Sequence, residues 1–308
     1  MKRFGGLTIV QCGYMHTDEQ TIGADGREQG VGEALRYQNP QETGLFRQRG
    51  VYEKMGLPVE IREVDGGRCA GRVLGPYEAV TRDFSDQVFE AAARGQAVVT
   101  TGGFCNYAPA VAGGLRRALG EDQRIGLVWL DAHADNRILG QNDRPLRYVS
   151  IPLSTICGQT MERFRREVCG LMQPLDGRDV VAGDLRMLDD ISRHNLQAAG
   201  AVHLDQTAFR DRDQWKAALT ALAGRCDAIY LSIDADILQP RYIPGYIKTV
   251  PGGQTLEDVR AVAAAAAATG KLAVCSMFCF NFDKGGDAAA QTFASQQAIL
   301  ESVLENWK

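Results

Sequence analysis

The chain has 308 residues, of which 45% are hydrophobic and 23% charged, with a net charge of −4 and a pI near 5.7. Such a composition is typical of a globular protein, and no long basic run is present that would attract nucleic acid or an anionic membrane. We therefore expect neither a nucleic-acid partner nor a membrane partner.

The N-terminal sequence MKRFGGLTIVQCGYMH has two basic residues and an apolar run that Gly5, Gly6 and Gln11 interrupt. A secretory signal needs a longer apolar stretch followed by a small-residue cleavage site. No segment approaches the roughly 18 apolar residues that span a bilayer. The eight cysteines are scattered and form no CxxC pair, which is typical of reduced cytosolic thiols. We expect a cytoplasmic protein.

Strand and helix patterns alternate along the chain. Short β-rich runs predict strands at 7–13, 58–64, 97–101, 125–131, 179–183, 201–204, 228–234 and 272–280, of which 201–204 is the weakest. Helical patterns lie between them at 79–94, 107–119, 159–171, 190–199, 211–224, 256–269 and 287–306. The helix start at Leu256 is the clearest, because Thr255 stands in a capping position with Asp258 three residues later.

This alternation predicts a parallel sheet with helices on both faces. Several strands are nearly continuous apolar runs, as expected for strands that are covered on both sides. We expect one α/β domain over residues 1–308, built as a three-layer α/β/α sandwich. Ligands of such sheets bind beyond the carboxyl ends of the strands, so those ends are where functional residues should lie.

The strand at 125–131 ends in the segment VWLDAHADN, which places Asp131, His133 and Asp135 at alternate positions. Alternate side chains of an extended chain point to the same side, so these three should converge. The strand at 228–234 ends in LSIDADILQP, where Asp234 and Asp236 share a face in the same way.

Clustered carboxylates repel each other, and burying them without partners is costly. A divalent cation removes both problems. Mixed carboxylate and imidazole ligands suit Mn²⁺, Zn²⁺, Fe²⁺ or Co²⁺, and this set exceeds the usual share of one ion, which indicates two ions with bridging carboxylates. The structural alternative is that His133 is a hydrogen-bonded polar residue and that the aspartates cap helices.

The two acid motifs resemble the metal motifs of the ureohydrolases, the arginase and agmatinase family. Three further landmarks follow the family's order. They are TGGFCNYAPAVAGGL (101–115), similar to the glycine-rich first metal motif; IPGYIKTVPGG (243–253), similar to the Pro-Gly loop; and FNFDKGGDAAAQTF (280–293), similar to the loop before the last helix. The resemblance covers most of the chain.

The resemblance implies a three-layer α/β/α fold with a binuclear manganese site that hydrolyses an amidino carbon–nitrogen bond. Asp131 and Asp234 would bridge the metals, Asp135 would complete one site, and His133 and Asp236 would complete the other. A hydroxide held between the ions would attack the amidinium carbon. Asp135, counted with His133 as catalytic, would orient that hydroxide and pass its proton to the leaving amine.

Several positions depart from the family's pattern. Cys105 stands where the first motif offers a histidine ligand, and a thiolate suits Zn²⁺ or Fe²⁺ better than Mn²⁺. Cys279 stands where a glutamate grips the guanidinium, so that clamp is missing. Phe104 and Gln239 replace usual acids, and 146–154 lacks the arginase-type histidine. Bulky residues at 246–248 predict a narrower pocket.

Two further residues match substrate contacts of the family. Asn136 matches an asparagine that contacts a substrate carboxylate, and its alternative is a turn-forming residue after the strand. Asp189 matches a carboxylate that binds the substrate's amino group. Cys279 joins them as a pocket residue at the glutamate position.

We expect a metal-dependent hydrolase that acts on a small amidine or guanidine and is not a classical arginase. One alternative is a non-catalytic or regulatory member with a degenerate metal site. Another is a reactive thiol pair formed by Cys105 and Cys279.

The cofactor would be two divalent ions, manganese by resemblance, with zinc or iron open because of Cys105. The resemblance also implies a homo-oligomer, a trimer or hexamer.

Overall fold

The computed structural model describes residues 3–15, 21–29, 35–36, 41–69, 74–141, 146–246, 248–280 and 285–308. Within these ranges the strands are β1 (Leu7–Cys12), β2 (Tyr14–Met15), β3 (Thr21–Ile22), β4 (Glu28–Gln29), β5 (Leu35–Arg36), β6 (Val59–Glu63), β7 (Ala97–Gly102), β8 (Ile125–Asp131), β9 (Leu146–Arg147), β10 (Val180–Asp184), β11 (Val202–Asp205), β12 (Ala228–Asp234) and β13 (Leu272–Phe278). The α-helices are α1 (Gln41–Gln48), α2 (Pro76–Ala93), α3 (Ala108–Leu119), α4 (Pro152–Ile156), α5 (Asp190–Ala199), α6 (Gln206–Phe209), α7 (Arg212–Arg225), α8 (Leu256–Ala268) and α9 (Gly286–Asn306).

In the described part of the chain, eight strands form one parallel sheet in the order β11-β10-β8-β12-β13-β7-β1-β6. The three central strands β8, β12 and β13 are buried along their whole length, which explains their continuous apolar sequences. Helices flank the sheet, with α2 packed on α3 and α8 packed on α7 and α9. The predicted three-layer α/β/α fold with a parallel sheet is confirmed.

The predicted strands of the central sheet are all present, each within two residues at either end. The cap at Thr255 is also present, because its Oγ1 accepts a hydrogen bond of 3.1 Å from the backbone N–H of Asp258. No described helix is long and apolar enough to cross a membrane. All eight cysteines lie in the described residues, and none of them forms a disulfide.

The helix predicted at 159–171 is present only over 162–168. The chain forms α4 earlier, starting at Pro152, and a π-helix at Phe164–Val168. Gly158 and Met161 between them have φ angles of +73° and +56°, which no right-handed helix accommodates. A proline at the first helical position and a left-handed glycine after the last therefore set the boundaries more strongly than the apolar spacing did.

Candidate metal centre and cavity

The carboxyl ends of adjacent strands bring together residues that are far apart in sequence. β8 and β12 are neighbours, and they end at Asp131 and Asp234. On the next strand, β13, Phe278 pairs with Asp234, so Cys279 follows directly. On the other side, Asp184 of β10 pairs with Asp131. The sheet alone thus lines up four chemically active side chains along one edge.

The segment after β8 leaves the strand and turns. The backbone N–H of His133 donates to Asp131 Oδ1 at 2.7 Å, and the N–H of Ala132 donates to Asp236 Oδ1 at 3.0 Å. Asp135 has a φ of +45°, in the left-handed region that is uncommon for a residue with a β-carbon. Asp131, His133 and Asp135 therefore converge through a hydrogen-bonded turn, and not through the extended strand that their alternate spacing predicts.

The segment after β12 forms a 3₁₀ turn, Ala235–Ile237, that Asp234 caps by accepting from the Asp236 N–H at 3.1 Å. The His133 imidazole reaches across from β8, with Nδ1 3.0 Å from Asp236 Oδ2 and 3.5 Å from Asp131 Oδ1. The two acid motifs are thus joined by direct contacts. Asp234 therefore has a structural role as a helix cap in addition to a role as a candidate metal ligand.

Cys105 and Cys279 approach the acids from the other side. Cys105 begins a 3₁₀ turn just after β7 and Gly102–Gly103. Both glycines have φ angles near +70°, and a β-carbon on Gly102 would meet the Cys12 carbonyl oxygen at 2.2 Å. Only glycine permits this close turn, which carries Cys105 into the site.

Potential metal-donor atoms form three groups within the described residues. In each group, one donor atom per residue lies within 4.8 Å of the others. The groups are Cys105–Asp234–Cys279, Cys105–Asp131–Asp135 and Asp131–His133–Asp236. Asp131 and Cys105 each belong to two groups, so the arrangement has the connectivity of two neighbouring sites that share ligands.

Burial and mutual repulsion govern the protonation of the acids. Burial, together with the charges of Asp236 and neighbouring aspartates, raises the pKa of Asp131 and of Asp234 well above the usual range. Burial also raises the pKa of Asp135 to about 6. Asp236 differs, because the contact with His133 outweighs its burial and lowers its pKa. The same contact raises the pKa of His133 despite partial burial.

The thiols are also held in the neutral form when no cation is bound. A hydrogen bond with Cys279, followed by burial, raises the pKa of Cys105 well above its usual value. Burial raises the pKa of Cys279 to about 12.

The residues fit divalent cations. Asp131 Oδ2 is buried and has no hydrogen-bond partner among the described residues, although a buried carboxylate oxygen normally has one. Oxygen, sulfur and imidazole donors surround it at ligand spacing. A cation supplies the missing partner and offsets the repulsion between the acids.

A cavity of about 410 Å³ opens over these groups. Its lining includes every donor residue except Asp131, together with seven other residues that a substrate would meet. The full lining is Phe104, Cys105, His133, Asp135, Arg147, Val149, Ser150, Asp234, Asp236, Tyr246, Lys248, Val250 and Cys279. Tyr246 and Lys248 line the cavity, and Ile247 lies outside the described residues. Residues 281–284 of the last landmark lie outside them as well. The narrower pocket stays a prediction.

Two residues predicted to bind substrate do not reach the cavity. Asn136 is 1% exposed, and its side-chain amide donates to the Ser192 carbonyl at 2.8 Å. Asp189 caps α5 by accepting from the Ser192 N–H at 2.9 Å and pairs with Arg137. These hydrogen bonds and the Arg137 charge lower the pKa of Asp189 although burial opposes them. Both side chains hold the segment after β8 against α5. Cys279 does line the cavity.

Sequence reasoning missed Arg186 and Asp184, which brace the site from behind. Arg186 donates to the carbonyl oxygens of Asp236 at 2.6 Å and Pro251 at 2.9 Å, and its Nη1 lies 2.9 Å from Asp184 Oδ2. The available signal was Asp184 itself, an acid at the end of an apolar strand, one residue beyond the predicted end of that strand.

Comparison with known proteins agrees with this arrangement. The model of the Arginase family matches residues 15–297. The chain belongs to the arginase family. It is 27% identical over 237 residues to the arginase of Coccidioides posadasii, a match that covers 73% of this chain and 72% of that one. It is 28% identical over 247 residues to the formimidoylglutamase of Rhodococcus jostii, covering 74% and 68%.

The fold is also shared with a solved family member. The crystal structure of arginase from Bacillus subtilis superposes with a TM-score of 0.76 at 18% identity, covering 97% of this chain and 98% of that chain. At this identity the likeness concerns the fold. It supports the strand order and helix layers described above.

Proposed function

We propose that this arginase-family protein is a metal-dependent hydrolase that cleaves a carbon–nitrogen bond of a small amidine or guanidine. The observation that carries the proposal is the set of donor groups that are linked through Asp131 and Cys105 and lie against an open cavity. Relatives named arginase and formimidoylglutamase support the reaction class. The lost glutamate at Cys279 and the absence of histidine in 146–154 argue against classical arginase activity.

Two divalent cations are the proposed cofactor. Asp131, His133 and Asp236 would hold one, and Cys105, Asp135 and Asp234 would hold the other together with Asp131. When bound, such ions lower the pKa of water and so supply a nucleophile near neutral pH. Manganese is the expectation from the family, and the Cys105 sulfur favours a softer metal.

Asp135 is the proposed proton carrier. It is half-buried, lines the cavity, and lies in the donor group of Cys105 and Asp131. In the reaction, water oxygen bonds to the amidine carbon, the carbon–nitrogen bond breaks, and the departing nitrogen takes up a proton. The Asp135 carboxylate can accept the proton that the water loses and return it to that nitrogen.

The substrate also carries an anionic group in this proposal. Arg147 and Lys248 both line the cavity and bring two positive charges to it. Guanidinium and ammonium groups recognise carboxylates through charge-assisted hydrogen bonds. The best candidate is therefore a small amidino or guanidino acid, with its cationic carbon at the metal centre and its anionic end towards the two basic residues.

The test combines metal analysis with a substrate screen. The protein is purified without chelators, reconstituted with Mn²⁺ or Zn²⁺, and assayed for urea, ammonia or formamide release from amidino, guanidino and formimidoyl acids. Turnover that requires the added metal and that Asp135→Asn abolishes supports the proposal. A fully metal-loaded protein that binds these compounds without turnover would instead support a non-catalytic, ligand-binding role.

A reactive thiol pair is the other alternative. Loss of activity on alkylation of Cys105 or Cys279, with the metal retained, would favour it. A trimeric or hexameric assembly stays a prediction from the family resemblance, and a cytoplasmic location stays a prediction from the scattered cysteines.

A further inference from the structure

We propose that Cys279 is a metal ligand, so that Cys105 and Cys279 together make one of the two positions a thiolate site selective for Zn²⁺ over Mn²⁺. The inference rests on the proposed function in that it concerns the same centre, and it changes the role of Cys279 from a pocket residue to a ligand. It also makes the two metal positions chemically unequal.

The geometry supports two sulfur ligands at one position. Cys105 Sγ, Cys279 Sγ and a carboxylate oxygen of Asp234 lie within 4.8 Å of one another, and all three residues are at least nine-tenths buried. Ligands bound tetrahedrally to zinc, with Zn–S bonds of about 2.3 Å, stand about 3.8 Å apart. The three donors are thus close enough to bind one ion without rearrangement of the backbone.

The backbone holds the two cysteines together. The N–H of Cys279 donates to the carbonyl oxygen of Gly103 at 2.9 Å, which ties the loop after β13 to the loop that carries Cys105. Cys279 has a φ of +63°, a conformation that costs free energy for a residue with a β-carbon. Strain of this kind persists where the surroundings hold it, and here it fixes the direction in which the thiol points.

The donor set at the other position is harder. His133 supplies a nitrogen, and Asp131 and Asp236 supply oxygens, a set that accepts Mn²⁺ as well as zinc. Thiolate ligands prefer zinc to manganese. We therefore expect the thiolate position to take Zn²⁺ from a mixture of both metals and the imidazole–carboxylate position to be less discriminating.

Cobalt spectroscopy tests the ligand assignment without relying on activity. Metal-free, fully reduced protein is titrated with Co²⁺, and the thiolate-to-cobalt charge-transfer absorption in the near ultraviolet is recorded. The wild type should show a band from two sulfur ligands. Cys105→Ser and Cys279→Ser should each lose about half of its intensity, and the double variant all of it.

Cys157→Ser is the matched control, because Cys157 lies in the loop after α4 and belongs to none of the donor groups. Its band should equal that of the wild type. An unchanged band in Cys279→Ser would overturn the proposal. Sulfur coordination can also be counted in the unmutated zinc protein by X-ray absorption, which does not depend on a variant folding. Two sulfur neighbours per chain, which is an average of one per zinc when both positions hold zinc, support the proposal, and fewer contradict it.

Metal competition tests the selectivity. The preference for Zn²⁺ over Mn²⁺, measured as the ratio of the two dissociation constants, should be smaller in Cys105→His/Cys279→Glu than in the wild type, because thiolates add to the general preference of such sites for zinc. An equal ratio in the double variant would contradict the role of the thiolates. Failure of the proposed function is a separate result. If the cobalt bands behave as expected but no substrate is turned over, the ligand assignment stands and the hydrolase function is rejected.

Discussion

Arg186 Nη1 lies 2.9 Å from Asp184 Oδ2, and both side chains are nearly inaccessible, at 6% and 0% exposure. The same guanidinium donates to the carbonyl of Asp236 and to the carbonyl of Pro251. One buried cation therefore joins the end of β10 to a ligand-bearing turn and to the Pro-Gly loop. Its position behind the donor groups suits a residue that orients Asp236.

Arg186→Ala should destabilise the protein strongly. Removing one partner of a buried pair leaves the Asp184 carboxylate uncompensated, which costs about 3–5 kcal/mol. Urea unfolding of the metal-free protein measures the loss. Asp184→Asn/Arg186→Ala should recover part of it, because no unpaired charge remains. A single variant as stable as the wild type would show that the pair does not brace the site.

Asp131→Asn should remove metal and stabilise the metal-free chain. The asparagine side chain still accepts the hydrogen bond from the His133 N–H, but it lacks the negative charge that would bind and bridge the two cations. Metal per chain should fall from about two to nearly none after dialysis. The free energy of unfolding of the metal-free protein should rise by about 1 kcal/mol, since burial and neighbouring acids raise the pKa of Asp131.

Elemental analysis and urea unfolding check these two effects. Asp213→Ala, at an exposed position in α7, is the control and should alter neither. Full metal content in Asp131→Asn would refute the shared-ligand assignment.

Asp83, remote from the donor groups, should give the stability a defined pH dependence. It is 1% exposed, and burial raises its pKa to about 6 although it accepts from the Asp65 N–H and faces Arg68. The folded state therefore binds more protons than the unfolded state between about pH 4 and 6, so stability falls as the pH rises through that window. The contribution lost is about 3 kcal/mol.

Asp83→Asn should abolish this part of the pH dependence. The measurement is the unfolding free energy of the variant minus that of the wild type, taken at pH 4 and at pH 7. This difference should be larger at pH 7, where the wild type has lost the contribution of Asp83. The difference cancels the titration of all other groups. An equal difference at both pH values would mean that Asp83 keeps an ordinary pKa in the folded protein.

Arg147→Gln and Lys248→Gln should each raise KM for an acidic substrate about tenfold, equivalent to about 1.4 kcal/mol, and leave kcat nearly unchanged. The reason is that both residues line the cavity and belong to none of the donor groups. The substrate's amide or ester analogue should be affected little by either change. Arg178→Gln, at a site 75% exposed and outside the cavity, is the control. Equal effects on charged and neutral substrates would disprove the anion contact.

The central sheet was predictable because its signal is strong and local. Strands buried on both faces leave continuous apolar runs, and β8, β12 and β13 are such runs. The segment at 159–171 was not predictable in this way. Its apolar spacing suits a helix, but the tertiary structure places Met161 in the left-handed region and forms a π-helix after it.

The site was predictable to the extent that strand ends determine it. Acids that end apolar strands indicated Asp131, His133, Asp135, Asp234 and Asp236, and the structure brings these together. Asn136 and Asp189 lie a few residues after β8 and β10 in the sequence. Whether such a side chain lines a cavity or is held by a helix depends on how α5 packs, and the local sequence does not show this. The contact of Cys279 with Cys105 depends on the pairing of β13 with β7, which no local pattern encodes.

That pairing has a consequence for how the protein matures. β13 is the last of the described strands in chain order, yet it lies between β12 and β7 in the middle of the sheet. A chain in which β13 has not yet paired has a gap where the central strand belongs, and its proposed ligand set is incomplete without Cys279. Long-range insertion of this kind is slow compared with local folding. We expect tight metal capture to begin only after β13 has inserted, so that metal retention reports completion of the whole sheet.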